Sequence, residues 1–149
     1  MTIYCTINTS TNRTEDMRFN INPSSAEPIY AQITRQAREA VARGTLRAGD
    51  QLPTVRELAL ELVINPNTIA AAYREMERIG LVHTRRGRGT FVAEIQSPAS
   101  PGERRHHLQK HVDALLTEAT LLGLSEEETL DAVRTVAGKY LLRETKKNG

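Results

Sequence analysis

Apolar positions in this chain change period as the sequence advances. Between residues 17 and 21 the period is two: Met17, Phe19 and Ile21 alternate with Arg18 and Asn20, the mark of a half-buried strand. From Pro28 to Arg43 it becomes helical, with Ile29, Ile33, Ala37 and Val41 each one turn apart. Pro28 suits the first turn of that helix and Gly44 its C-terminal cap. Arg47–Asp50 read as a turn, with Leu52 anchored in the core. A second helix opens at Thr54, which stands three residues before Glu57 at the spacing of a capping box; Val55, Leu58, Ala59 and Leu62 form its buried face. A third starts at Asn65-Pro66, a favoured N-cap followed by the favoured first-turn residue, and runs to Ile79, where Gly80 stops it. Leu81–Thr84 and Thr90–Val92 are two short strands around RRGRG, whose glycines permit a tight reversal.

Past this point the pattern breaks and restarts. QSPASPGE is a linker rich in Pro, Ser and Gly. Leu108, Val112, Leu115, Ala119 and Leu122 then follow at spacings of 4, 3, 4 and 3, and Leu130, Val133, Ala137 and Tyr140 at 3, 4 and 3. Gly123 between them is a left-handed cap, and Ser125 with Glu128 makes a second capping box. Two short amphipathic helices cannot bury such a seam alone, so these nine residues are assigned to a homodimer interface, the alternative being that the hairpin folds onto the domain that precedes it. The expected plan is a disordered N-terminal extension (1–16), rich in Thr and Asn, a domain over 17–94, a linker over 95–103 and a helical hairpin over 104–149. The fold class is mainly α with a small β-hairpin: a winged helix-turn-helix domain followed by a two-helix antiparallel hairpin.

Charge sharpens this picture. The 149-residue chain has a net charge of only +2, yet Pro28–Ala93 holds ten arginines, no lysine and six acids, a net of +4, while Ile95–Gly149 is balanced. Arginine's planar fork matches phosphate and guanine edges better than lysine's point charge does. The single cysteine, Cys5, excludes a disulfide framework and a cysteine zinc site, and no segment has the apolar length of a membrane span. A reducing cytoplasm, on the nucleoid, is the expected compartment. No nucleophile–base pairing, phosphate-cradling glycine loop or metal box is present to support an enzyme, and no cofactor is implied.

Three helices and a glycine-tipped hairpin place the third helix in a DNA major groove. At ~100° per residue, Ile69, Ala72, Tyr73, Met76 and Ile79 of that helix face inward, and Asn67, Ala71, Arg74 and Arg78 outward. Asn67 can pair with adenine or a phosphate, Thr68 beside it can meet a phosphate or base, and the Ala71 methyl suits a thymine methyl. Arg74 and Arg78 suit phosphates or guanine. Asn65 is read as a cap and Tyr73 as core. Arg56 lies in the first turn of the second helix, a poor place for a cation unless an external anion meets it. Arg85, Arg86 and Arg88 crowd the wing tip, where DNA backbone or minor groove supplies the counter-charge.

LPTVRELALEL, INPNTIAAAYREMERIGL and GRGTFV together resemble the GntR family of bacterial transcription regulators, and the short tail resembles its YtrA-like subfamily. The resemblance implies a dimeric, sequence-specific repressor of its own operon and of ABC-transporter or stress genes, bound to a palindromic double-stranded operator. It carries the family's helix-two arginine onto Arg56, its recognition-helix polar residues onto Asn67 and Thr68 with Pro66 in line, and its wing glycine onto Gly87. Ala71 departs from the polar or basic residue common there, and Thr54 replaces the usual Ser. MRFNINPSSAEPIYAQI looks like a typical subfamily beginning, so residues 1–16 are an extension, or translation starts at Met17. Two recognition helices in a two-fold dimer would stand roughly 34 Å apart. The alternatives are a protein-interaction winged helix and a regulator sensing a small molecule at the dimer interface or a metal through His106, His107 and His111.

Overall fold

The computed structural model describes residues 3–7, 17–95 and 100–140. Its chain divides into two compact units, Met1–Ile95 and Gln96–Gly149.

The first unit begins with a two-stranded ladder. Strand β1 (Ile3–Ile7) runs antiparallel to β2 (Met17–Ile21), with Cys5 opposite Phe19. This corrects the expectation of a disordered start for residues 3–7. The stretch IYCTI carries β-branched and aromatic residues that suit a strand, and the surrounding Thr- and Asn-rich composition outweighed them in the sequence reading. Residues 1–2 and 8–16 lie outside the described residues. β2 buries Met17, Phe19 and Ile21, as its alternation predicts. Helix α1 (Ile29–Arg43) meets β2 with two glutamines one turn apart. The Gln36 amide accepts from Asn20 N at 2.7 Å and donates to Asn20 O at 2.8 Å. Gln32, itself buried, treats Asn22 the same way at 2.9 Å in both directions and also donates to Glu27 O. Side-chain amides of α1 thus pair the backbone groups of Asn20, in β2, and of Asn22, just past it.

Gly44 caps α1 at φ 79, and the turn at Arg47–Asp50 closes when the Asp50 carboxylate accepts from Arg47 N at 2.8 Å. Gly49 N and Asp50 O then bracket Val92, so the chain enters a strand the sequence did not announce, β3 (Gln51–Leu52). Helix α2 (Val55–Leu62) follows, then α3 (Pro66–Arg78), β4 (Val82–Arg85) and β5 (Gly89–Val92). The wing is therefore a three-stranded antiparallel sheet in the order β3-β5-β4. A two-residue strand is too short to show a period, which is why only two strands were expected.

Phe19, Ile21, Ile33, Leu46, Leu58, Leu62, Ile69, Met76 and Val92 fill the core from α1, α2, α3 and both flanking strands. Ile79, expected to face inward, is 38% exposed, because it is already the cap residue before Gly80 turns the chain at φ 75. Tyr73 is buried and donates to Pro53 O at 2.6 Å, tying α3 to the entry of α2. Tyr73→Phe should keep the fold and cost about 1 kcal/mol in urea unfolding, the worth of one such bond.

The second unit contains α4 (Pro101–Leu121) and α5 (Glu126–Ala137). The helix starts inside the expected linker, since Ser100 and Glu103 form a capping box that the sequence reading passed over. Residues 96–99 and 141–149 lie outside the described residues. Gly123 at φ 71 ends α4 with Gly123 N donating to Thr120 O and Leu124 N to Ala119 O, the paired bonds of a Schellman cap. Glu57, Glu103 and Glu128 share one arrangement: each carboxylate accepts the N-cap backbone N–H and is held below the ordinary carboxylate range, first by that bond. Their contribution is present above the ordinary carboxylate pKa and is lost as pH falls through the lowered one. Among the described residues no helix is long and apolar enough to cross a membrane.

Candidate nucleic-acid interface

The interface is built around α2, the turn after it and the N-terminal half of α3. Thr54 accepts from Glu57 N at 3.2 Å, and Glu57 reaches back to Thr54 N at 2.7 Å. That engagement has a consequence for Arg56. Its nearest acid in sequence is turned toward the cap, and Arg56 stays exposed with no ion pair or hydrogen bond among the described residues. A cation at a helix N-terminus, lacking an internal partner, is placed for an external anion.

The turn from α2 to α3 passes through Val63 at φ 54, ψ 46. It is the only non-glycine residue with positive φ among the described residues, and it is β-branched. Its amide and that of Ile64 return to Leu60 O and Ala59 O, which closes α2 and aims α3. Its side chain is 84% exposed, so packing does not explain the choice. Val63→Gly should raise stability by about 0.5–1 kcal/mol: relief of ~1–2 kcal/mol of left-handed strain exceeds glycine's entropy cost of ~0.5–1 kcal/mol. Urea unfolding checks it, and a lower midpoint for Val63→Gly would mean that the exposed valine makes contacts elsewhere.

Asn65 caps α3 by accepting from Asn67 N at 2.8 Å, and Pro66 takes the first helical position. Asn65 is spent on the helix start, whereas the Asn67 side-chain amide is exposed and unengaged among the described residues. Thr68 and Ala71 are half-buried beside it, and Arg74 is exposed. Arg78 differs. Its guanidinium holds Glu75 in a two-bond fork, Nε to Oε2 at 2.8 Å and Nη2 to Oε1 at 2.7 Å. These bonds hold the Glu75 carboxyl below its ordinary range and push Arg78 up. Arg78 is therefore already partnered, whereas Arg56, Arg74, Arg86 and Arg88 are exposed and make no ion pair among the described residues.

The wing carries a second surface. Strand alternation puts His83 and Arg85 of β4, Gly89 and Phe91 of β5 and Gln51 of β3 on one face, with His83 and Gln51 on either side of Phe91. The His83 and Phe91 rings stack at 6.0 Å between centroids. Arg85 stands opposite Gly89, which offers no side chain, and its guanidinium instead lies over the Phe91 ring at 5.6 Å. Gln51 Nε2 donates to Arg88 O at 3.1 Å, and a Cβ on Gly89, at φ 119, would come within 2.6 Å of that nitrogen. Gly87, at φ 75, has open space where a Cβ would be. Arg86 and Arg88 are exposed at the tip. Gln51, His83 and Phe91 were not singled out by sequence reasoning; the register of β3 against β5 was the missing signal. Glu77 accepts from Thr84 N at 3.2 Å and braces the wing against α3.

Of the nine hairpin residues, Ala119 is buried within its own hairpin, Ala137 and Tyr140 are half-buried, and the other six are exposed. His107 and His111 contact each other edge to face at 5.3 Å. Among the described residues no group of three or more His, Cys, Asp or Glu side chains is placed to hold a metal ion.

Three comparisons bear on these surfaces. The family described as bacterial regulatory proteins, gntR family, matches residues 29–92, from α1 to the end of the wing. The chain is 35% identical over 117 residues to the HTH-type transcriptional repressor YtrA of Bacillus subtilis, covering 78% of this chain and 90% of that protein. It is 43% identical over 112 residues to the HTH-type transcriptional regulator YhcF of the same organism, covering 74% and 91%. A crystal structure titled transcriptional antiterminator from Listeria monocytogenes superposes with a TM-score of 0.71 at 28% identity, covering 87% of this chain and 97% of that one.

Proposed function

We infer from its place in the gntR family of bacterial regulatory proteins, to which this chain belongs as a DNA-binding transcriptional regulator of the YtrA-like kind, that it acts as a homodimeric repressor reading a palindromic operator. In this reading α3 enters the major groove, Asn67 and Thr68 meet bases and phosphates at its tip, and Ala71 makes close methyl contact. Arg56 and Arg74 hold the backbone, joined by Arg78 when Glu75 yields it. Arg85, Arg86 and Arg88, carried by a tip that Gly87 opens, grip the backbone or the adjacent minor groove. The observation that carries the reading is the Asn67 side-chain amide: it stands exposed at the tip of α3 while the Asn65 side chain alone supplies the cap. The word repressor follows the B. subtilis relative of that name. Its own operon, with ABC-transporter or stress genes, is the proposed target set.

Footprinting the purified chain on DNA upstream of its own operon tests this directly. A protected palindrome with half-sites about one helical turn apart or somewhat more is expected. No protection there would end the autoregulation reading, and protection of a single half-site would end the dimeric one.

A further inference from the structure

The wing sheet is three-stranded only at its base. β3 pairs with β5 through two residues, Gln51 opposite Phe91 and Leu52 opposite Thr90. The same register would set Pro53 opposite Gly89, but proline has no N–H to give the ladder, and Thr54 already caps α2. On the tip side of Thr90 the wing is therefore a ribbon of two strands, closed by Arg88 N donating to Arg85 O at 2.9 Å. This ribbon carries Arg86 and Arg88, and Gly87 and Gly89 sit in it at φ 75 and 119. Two strands with glycines at their end hold their own shape poorly.

The Gln51 side chain takes over where the β3 backbone stops. It shares the outward face with Phe91 and Gly89, opposite the face that buries Leu52, Val82 and Val92. It passes over Gly89, and Nε2 donates to Arg88 O at 3.1 Å. The path is open because position 89 is glycine: a Cβ there would come within 2.6 Å of that nitrogen. The base of this bond is itself fixed. Leu52 is buried, Tyr73 donates to Pro53 O at 2.6 Å, and Gly49 N and Asp50 O bracket Val92. One side-chain amide thus ties the tip, with Arg86 and Arg88, to the anchored segment that leads into α2 and Arg56.

We propose that Gln51 is a positioning residue for DNA binding: it latches the wing tip to β3, so that Arg86 and Arg88 are aimed before DNA arrives. The benefit is preorganisation, because a tip already ordered loses less freedom on binding. The proposal rests on the reading that the wing grips DNA and adds the part that aims it. Salt separates the latch from the arginines. Removing an arginine removes a phosphate contact and flattens the dependence of affinity on salt. Removing the latch leaves those contacts in the complex and keeps the slope.

Two variants of the full chain test this on the DNA upstream of its own operon and on a random duplex of the same length. Gln51→Met keeps the length of the side chain and removes the donor. Gln51→Asn keeps the donor and is one methylene too short to reach. Position 51 is exposed, so thermal unfolding should match the parent. Each variant should bind both DNAs roughly threefold to tenfold more weakly, the worth of one hydrogen bond, at the parental salt slope. The Gly87 and Gly89 amides of the free chain should gain mobility in NMR relaxation. Parental affinity in both variants overturns the proposal, and so does parental affinity in Gln51→Asn alone. A slope flatter by ~0.9 overturns it as well, by making Gln51 itself a phosphate contact. Arg86→Ala/Arg88→Ala, measured alongside, keeps the two readings apart. If it alone loses affinity, the latch fails and the wing stays on DNA; if it too binds like the parent, the wing reading fails.

Discussion

With Arg85, Arg86 and Arg88 replaced together by alanine, the chain is expected to bind operator and random DNA roughly a hundredfold more weakly, by similar factors on both. The estimate takes about 1 kcal/mol for each lost solvent-exposed ion pair, or about 3 kcal/mol for three. The slope of log affinity against log salt should flatten by ~0.9 for each phosphate contact removed. Titrations of both DNAs at several salt concentrations would measure this. The fold should persist, since Arg86 and Arg88 are exposed and make no ion pair among the described residues. Arg85 gives up only its place over Phe91, worth about 0.5–1 kcal/mol at an exposed site. An unchanged slope would remove the wing from the DNA backbone. A loss confined to the operator would make the wing a reader of sequence, through the minor groove, instead of an anchor.

The wing also marks where the sequence was readable and where it was not. RRGRG signalled a tight tip because Gly87 and Gly89 can take positive φ, and both do. Thr54 with Glu57, Asn65 with Pro66, and Ser125 with Glu128 were equally readable, because a helix start needs specific side chains at fixed offsets within three residues. Long-range register was not readable. Gln51 reaches Arg88 across 37 positions of sequence, and nothing near Gln51 says that β5 lies beside it. The same limit hid the cation–π contact of Arg85, which depends on Gly89 standing opposite and Phe91 diagonally across.

Arg78 shows a second kind of limit. A helical wheel places it on the outer face beside Arg74, and outward it does point, at 71% side-chain exposure. The wheel does not decide between an external phosphate and Glu75 three residues back, which takes it in the free chain. The hairpin shows a third. A 3/4 seam was visible from Leu108 to Tyr140, but Leu116, Leu124 and Val136 lie outside that seam and are just as exposed. A periodic stripe describes one contact, and this unit has apolar surface for more than one.

Asn67→Ala should lower operator affinity by about 1–3 kcal/mol, tenfold to over a hundredfold, with little change on random DNA, the expected loss of one bidentate base contact. Asn65→Ala is the informative neighbour. Its side chain accepts from Asn67 N, so its loss frays the start of α3 and costs about 1 kcal/mol of stability. That variant should lose affinity for both DNAs, in step with a lower unfolding midpoint. Asn67→Ala removes no cap bond and should unfold where the parent does. The two asparagines stand two residues apart in INPNT yet separate cleanly in a pair of measurements, the unfolding midpoint and the ratio of operator to random-DNA affinity. Equal losses on both DNAs for Asn67→Ala would make that side chain a phosphate anchor. No loss on either would take the tip of α3 out of the groove, and with it the major-groove reading of this surface.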